Sequence, residues 1–182
     1  MLCTVGDLLT DIVVHLTADP RRGTDTRASI RTVRGGSAAN IAVAAVAAGG
    51  RSRFVGQVGD DAAGHDHART LAAAGVDVRV QHRGTTGTIV VLVDATGERS
   101  FLTDRGACTS LTVVEPDVLD DITWLHVPGY SFLEGSLADT SQRLVVEATD
   151  RGIPISISTS SVSALHDFGR TEFLELVRVV EP

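Results

Sequence analysis

The residues best placed to do chemistry are Gly35-Gly36-Ser37-Ala38-Ala39-Asn40, followed directly by the apolar run 41–48. Two adjacent glycines leave no Cβ between backbone and ligand. Ser37 is a suitable helix N-cap, and the alanine-rich run behind it is a strong helix former. The turn then aims free backbone N–H groups and the Asn40 amide at one point. Such a point suits a ligand rich in hydroxyls or carrying a phosphate. The same string also reads as a loop glycine pair ahead of a buried helix, and a short glycine motif alone does not choose between the two. Cys3 and Cys108 stand far apart with no CxxC spacing, which reads as reduced thiols in a cytoplasmic protein. His65 and His67 are two apart, off a common helical face, and read as solvated.

The elements that must hold this turn alternate in type. Residues 2–9 and 12–16 are β-rich runs with Asp11 at their junction, and 28–33 is a short exposed strand. Residues 37–48 form a helix so poor in polar groups that it should be covered on most sides. A strand at 53–58 leads through Gly59 to a second helix capped by Asp60 or Asp61 and stopped at Gly75. Another strand runs over 76–80. Residues 88–93 and 99–103 flank a turn containing Gly97 and read as a β-hairpin. With 12–16 and 28–33 they make a separate small sheet, contributed by insertions at about 12–33 and 87–105. Beyond it come a short helix (115–121), a strand (123–127), a helix (136–151), a strand (154–158), helical turns (161–166 and 171–176) and a strand begun at 177–180. This alternation implies an α/β fold, a mostly parallel sheet with helices on both faces. Ligands of such sheets bind beyond the carboxyl ends of the strands. Asp11, the 35–40 turn, the 59–64 turn and Gly129-Tyr130 all follow strands and are expected to share that rim.

Composition sets outer bounds. The chain has 182 residues, 43% hydrophobic and 21% charged, which suits one sizeable core. A net charge of −7 without a basic cluster argues against nucleic acid as partner. No apolar run is long enough to span a membrane.

In order along the chain stand Gly6-Asp7-x-x-x-Asp11, Gly35-Gly36-x-x-x-Asn40, Val58-Gly59-Asp60-Asp61-x-x-Gly64, Ala74-Gly75-Val76, Thr86-Gly87-Thr88, Gly97-Glu98-Arg99 and Gly106-Ala107. In this order and spacing the chain resembles the PfkB (ribokinase-like) family of carbohydrate and nucleoside kinases. The resemblance implies a three-layer α/β/α sandwich with a small β-sheet lid. It implies that Asp11, Gly35, Gly36 and Asn40 bind the phosphate acceptor. From their places in the chain, Arg105 reads either as reaching the acceptor from the lid or as an exposed structural arginine, and Tyr130 either as lining the pocket or as covering the sheet edge. A carboxylate at Asp11 can accept from two neighbouring hydroxyls, and Asn40 can both donate and accept. Few aromatic residues favour a sugar over a nucleoside as acceptor. The resemblance also implies ATP and Mg²⁺ as cofactors of the intact kinase, and a homodimer joined through the lid.

The chain departs from the family in one large respect. The Gly-Ala-Gly-Asp turn that supplies the family's catalytic base and phosphoryl-binding N–H groups does not occur in the sequence. The resemblance therefore covers only the N-terminal part of the kinase, with the C-terminal part absent. No catalytic residue, nucleotide contact or metal ligand is assigned here, and the chain alone is expected to be inactive and to bind ATP poorly. The reading from another class is a non-catalytic fragment that binds sugar weakly or dimerises through the lid. A dinucleotide-binding oxidoreductase is disfavoured, because no GxGxxG follows the first strand.

Overall fold

The computed structural model describes residues 1–178. Among them, nine strands form two sheets. The larger is built from β1 (Leu2–Val5), β4 (Ser52–Val58), β5 (Asp77–His82), β8 (Trp124–Pro128) and β9 (Ile155–Ser158), in the order β5-β4-β1-β8-β9. Every pairing within it is parallel. The smaller joins β2 (Leu9–Leu16), β3 (Ala28–Gly35), β6 (Thr86–Val93) and β7 (Arg99–Gly106), in the order β3-β2-β6-β7. This is the α/β sheet with a small second sheet that the alternation of elements implies.

Strand β4 shows how the layers are held. All seven of its residues are buried, as expected of an interior strand covered on both faces. Phe54 packs on one side with Ala38, Ala39 and Ala42 of α1 (Ser37–Ala47) and Leu71 of α2 (Ala62–Ala73). Val55 packs on the other side with Leu137, Leu144, Val145 and Ala148 of α3 (Gly135–Asp150). Burying one such large apolar side chain stabilises the fold by about 1.5–3 kcal/mol. The α3 positions repeat with helical period, which is why this stretch docks as a helix. Two further helices, α4 (Val162–Phe168) and α5 (Arg170–Arg178), pack on each other at the chain's end. No helix among the described residues is long and apolar enough to cross a membrane.

Several expectations need correction. Strand β2 does not break at Asp11; the chain leaves the main sheet earlier, at Gly6 (φ 150), and Asp11 pairs inside β2 with Val33 and Ile89. Ser37 is not the cap of α1. Gly36 holds that place, with φ 103, and its carbonyl accepts from Asn40 N at 2.9 Å. Helix α1 is buried along Ala38, Ala39 and Ala42 only, while Ala44 and Ala47 are exposed, because the sheet covers one side of it. Residues 115–121 form turns rather than a helix. The buried Arg53 Nη1 donates to the carbonyls of Asp117, Val118 and Asp120 at 3.2, 2.7 and 3.1 Å, taking acceptors a helix would use. Val177 lies in α5 and not in a strand. Val179 and Val180 of that expected strand lie outside the described residues.

Candidate functional site

Beyond the carboxyl end of β1 the chain turns at Gly6, places Asp7 and Leu8 under the small sheet, and rises into it as β2. Ser131 Oγ donates to Val5 O at 2.9 Å and pins this turn to the segment after β8. Between the small sheet and these strand ends lies a cleft of about 1470 Å³. Asp11, Gly36, Asn40, Arg105 and Tyr130 all line it. Ile89, Phe101 and Thr103 of β6 and β7 roof it, so the small sheet stands as a lid.

The glycine pair is explained by close approach. A Cβ on Gly35 would overlap the Asp11 carboxylate, and a Cβ on Gly36 would overlap the carbonyl of Asp7. Gly35 thus touches Asp11 without lining the cleft, and Gly36 shapes the floor. No side chain caps the first turn of α1, so its N–H groups remain directed toward the cleft end of the helix. Asn40 is exposed there. Asp11 is half-buried; desolvation pushes its carboxyl above the usual range, against the pull of Arg34.

Arg105 is not an exposed lid cation. It is 8% exposed, and Asp7 grips it through two hydrogen bonds, Nη2 to Oδ1 at 2.8 Å and Nε to Oδ2 at 3.1 Å. Its Nη1 donates to Glu134 Oε1 at 3.1 Å. These partners hold its pKa above the ordinary value despite burial, which works against charge. Tyr130 is positioned by its backbone N–H, which donates to Ser160 Oγ at 2.9 Å.

The 59–64 turn does not share the cleft. It anchors the lid instead: Asp61 caps α2 through Gly64 N and accepts from Thr86 N and Oγ1 at the start of β6, at 2.8 and 2.5 Å. These bonds hold the Asp61 carboxyl below its usual range. Nor is His67 solvated. It is 7% exposed, with Nε2 2.7 Å from Thr10 Oγ1, because α2 packs beneath the base of the lid. His65 is exposed and stacks on His82 with centroids 4.3 Å apart.

Asp7 and Glu134 line the cleft without having been singled out. Asp7 stands in the Gly6-Asp7-x-x-x-Asp11 string and was legible there. Glu134 carries no local signal: it precedes Gly135 (φ 67) at the start of α3, and only the fold brings it to Arg105. No group of three or more His, Cys, Asp or Glu side chains among the described residues converges to hold a metal ion.

The pfkB family carbohydrate kinase model matches residues 1–165. An ATP-dependent ribose-1-phosphate kinase of Halopiger xanaduensis is 32% identical over 86% of this chain and 53% of its own length. A fructokinase of Klebsiella pneumoniae is 39% identical over 51% of this chain and 32% of its own length. Among solved structures, an adenosine kinase from Sinorhizobium meliloti superposes with a TM-score of 0.84 at 25% identity, covering 98% of this chain and 62% of that one. The chain spans about half the length of the first of these relatives. With the match running from residue 1 to 165 and the glycine pair, lid and cleft all in place, the chain belongs to the pfkB family of carbohydrate kinases.

Proposed function

We propose that this chain supplies the acceptor-binding floor and lid of an ATP-dependent kinase that phosphorylates a sugar hydroxyl. The observation that carries this reading is the Asp11 carboxylate seated over Gly35, in one cleft with Asn40 and the uncapped N-terminus of α1. Asp11 accepts from two neighbouring hydroxyls of the sugar, and the Asn40 amide fixes a third polar group. The lid residues Ile89 and Phe101 close over the ring and keep water from the reacting hydroxyl. Asp11, Gly35, Gly36, Asn40, Arg105 and Tyr130 thus build and line the acceptor site. ATP, the donor named for the Halopiger relative, and Mg²⁺ complete the reaction when bound. The catalytic base is assigned to no residue of this chain.

Calorimetric titration of the chain with a panel of sugars and nucleosides tests this. Saturable binding of a sugar, weakened in Asn40→Ala, is expected. Failure of every sugar and nucleoside to bind overturns it.

A second property follows from the lid. Strand register puts Ile12, Val14, Ile30, Val90, Leu92 and Leu102 on the face opposite Asp11. Ile30 is 64% and Leu102 61% exposed. Such an apolar sheet face fits a second copy of the chain, as a homodimer.

A further inference from the structure

Three side chains from distant parts of the chain meet on the cleft wall: Asp7 from the turn after β1, Arg105 from the end of β7 and Glu134 from just ahead of α3. A guanidinium carries five N–H donors. Asp7 takes two of those on Arg105, at Nε and Nη2, and Glu134 takes one, at Nη1. One N–H remains on Nη1 and one on Nη2. Arg105 lines the cleft, so these two are its donors to whatever binds there.

The two carboxylates differ in what they contribute. Asp7 is buried and joins lid to body. The Glu134 side chain is 59% exposed, and an ion pair this open adds little to stability. Its backbone is nonetheless fixed. Gly135 follows it with φ 67, packed so closely that a Cβ there would overlap the carbonyl of Thr109, three residues past the end of β7. Register puts Arg105 across the lid from Asp11. Asp11, Ile89 and Thr103 form one row, and Arg105 lies two residues past Thr103 on the same face. The offset is roughly 10 Å across the strands and 7 Å along them. Asp11 offers acceptors and Arg105 only donors. A sugar hydroxyl both donates and accepts, so a ring lying between them uses both.

We infer that Glu134 is a positioning residue of the acceptor site: together with Asp7 it locks the guanidinium of Arg105 so that the two remaining N–H groups donate to oxygen atoms of the acceptor. The inference rests on the acceptor site proposed above. Arginine has much rotamer freedom, and a guanidinium already held at Nε, Nη2 and Nη1 loses little more of it when the ligand arrives. Without Glu134 the Nη1 end is held by nothing but the Asp7 pair on the other edge, and its aim at the acceptor loosens.

The test is calorimetric titration of the 182-residue chain and of two variants, Glu134→Ala and Glu134→Gln, with D-fructose, D-ribose and adenosine, alongside thermal unfolding of all three proteins. For the compound that binds the wild type most tightly, Glu134→Ala is expected to weaken affinity about three- to tenfold, the net worth of about one hydrogen bond. Its melting temperature is expected to match that of wild type, because the Glu134 side chain is exposed and does not cap α3. Glu134→Gln keeps an oxygen that accepts from Arg105 Nη1, so it is expected to restore most of the affinity. Wild-type affinity in Glu134→Ala overturns the inference while leaving the acceptor site standing. So does a Glu134→Gln variant as weak as Glu134→Ala, or a loss of affinity accompanied by a lowered melting temperature, which would mark Glu134 as a support of the fold. If none of the three compounds binds the wild type, the acceptor site itself falls and this inference falls with it.

Discussion

Asp7, on the turn after β1, and Arg105, on lid strand β7, are 98 residues apart in sequence and joined by two hydrogen bonds of 2.8 and 3.1 Å. Their side chains are 10% and 8% exposed, so this ion pair fastens lid to main sheet in a nearly dry setting. Removing one partner strands a buried charge. Arg105→Met is expected to cost about 3–5 kcal/mol of stability, and Asp7→Leu with Arg105→Met together distinctly less than the two singles added. Urea unfolding of the three variants measures this. Full additivity would show that the two residues do not act as a pair.

The glycine pair separates binding from folding. In Gly36→Ala the new Cβ meets the Asp7 carbonyl and φ 103 is strained, so a loss of about 1–3 kcal/mol of stability is expected. In Gly35→Ala the new Cβ meets the Asp11 carboxylate, a side chain that can swing away. Acceptor affinity should then fall more than stability. Thermal unfolding and sugar titration of both variants compare the two effects; equal stability of Gly36→Ala and wild type would refute this account.

Asp11 is expected to trade stability for binding. Desolvation raises its folded pKa above 3.8, so the native state favours the protonated form, and ionisation costs stability as pH rises from about 3.8 through the folded value. Asp11→Asn removes that cost at neutral pH. Its melting temperature should equal or exceed that of wild type at pH 7, with the difference closing in acid. Acceptor affinity should weaken by about 1.5–3 kcal/mol, as it should in Asn40→Ala. Unchanged sugar affinity in both variants would sink the acceptor assignment.

His67 makes the lid base sensitive to acid. Burial lowers its pKa below 6.5, countered by Asp66 and Asp61 and assisted by Arg34. The unfolded chain therefore binds a proton that the native state resists. Stability is fully present above about pH 6.5 and falls as pH drops toward the folded value. His126 is half-buried, and desolvation lowers its pKa in the same direction. The melting temperature should drop between pH 7 and pH 5, and His67→Gln with His126→Gln should flatten that slope. An equally steep slope in the double variant would place the sensitivity elsewhere.

Self-association should go through the outer lid face. Light scattering is expected to give a dimer for the chain and a monomer for Ile30→Asp with Leu102→Asp, since an aspartate in an apolar interface stays desolvated and unpaired. A monomeric wild type at high concentration would count against this.

The sequence by itself determined the order of the elements and the position of the glycine pair. Both rest on local physics: the β-branched and aromatic runs that make β4 and β6 strands, the period that makes α3 a helix, and the backbone freedom that only glycine has at Gly36. It also marked Asp11 and Asn40, through a resemblance carried by ordered motifs and not by any local rule, and offered Arg105 and Tyr130 from their places at the lid exit and after a strand. Tertiary structure decided the rest. Residues 115–121 have a helical start signal, yet Arg53, from a distant strand, claims their carbonyls. His67 looks solvated beside His65 until α2 packs it against Thr10. Arg105 reads as a free cation until folding brings Asp7 and Glu134 to it, from 98 and 29 residues away. In each case the deciding partner is remote in sequence and near in space, and a hydrogen bond or a buried charge is settled by what lies within about 3 Å of it.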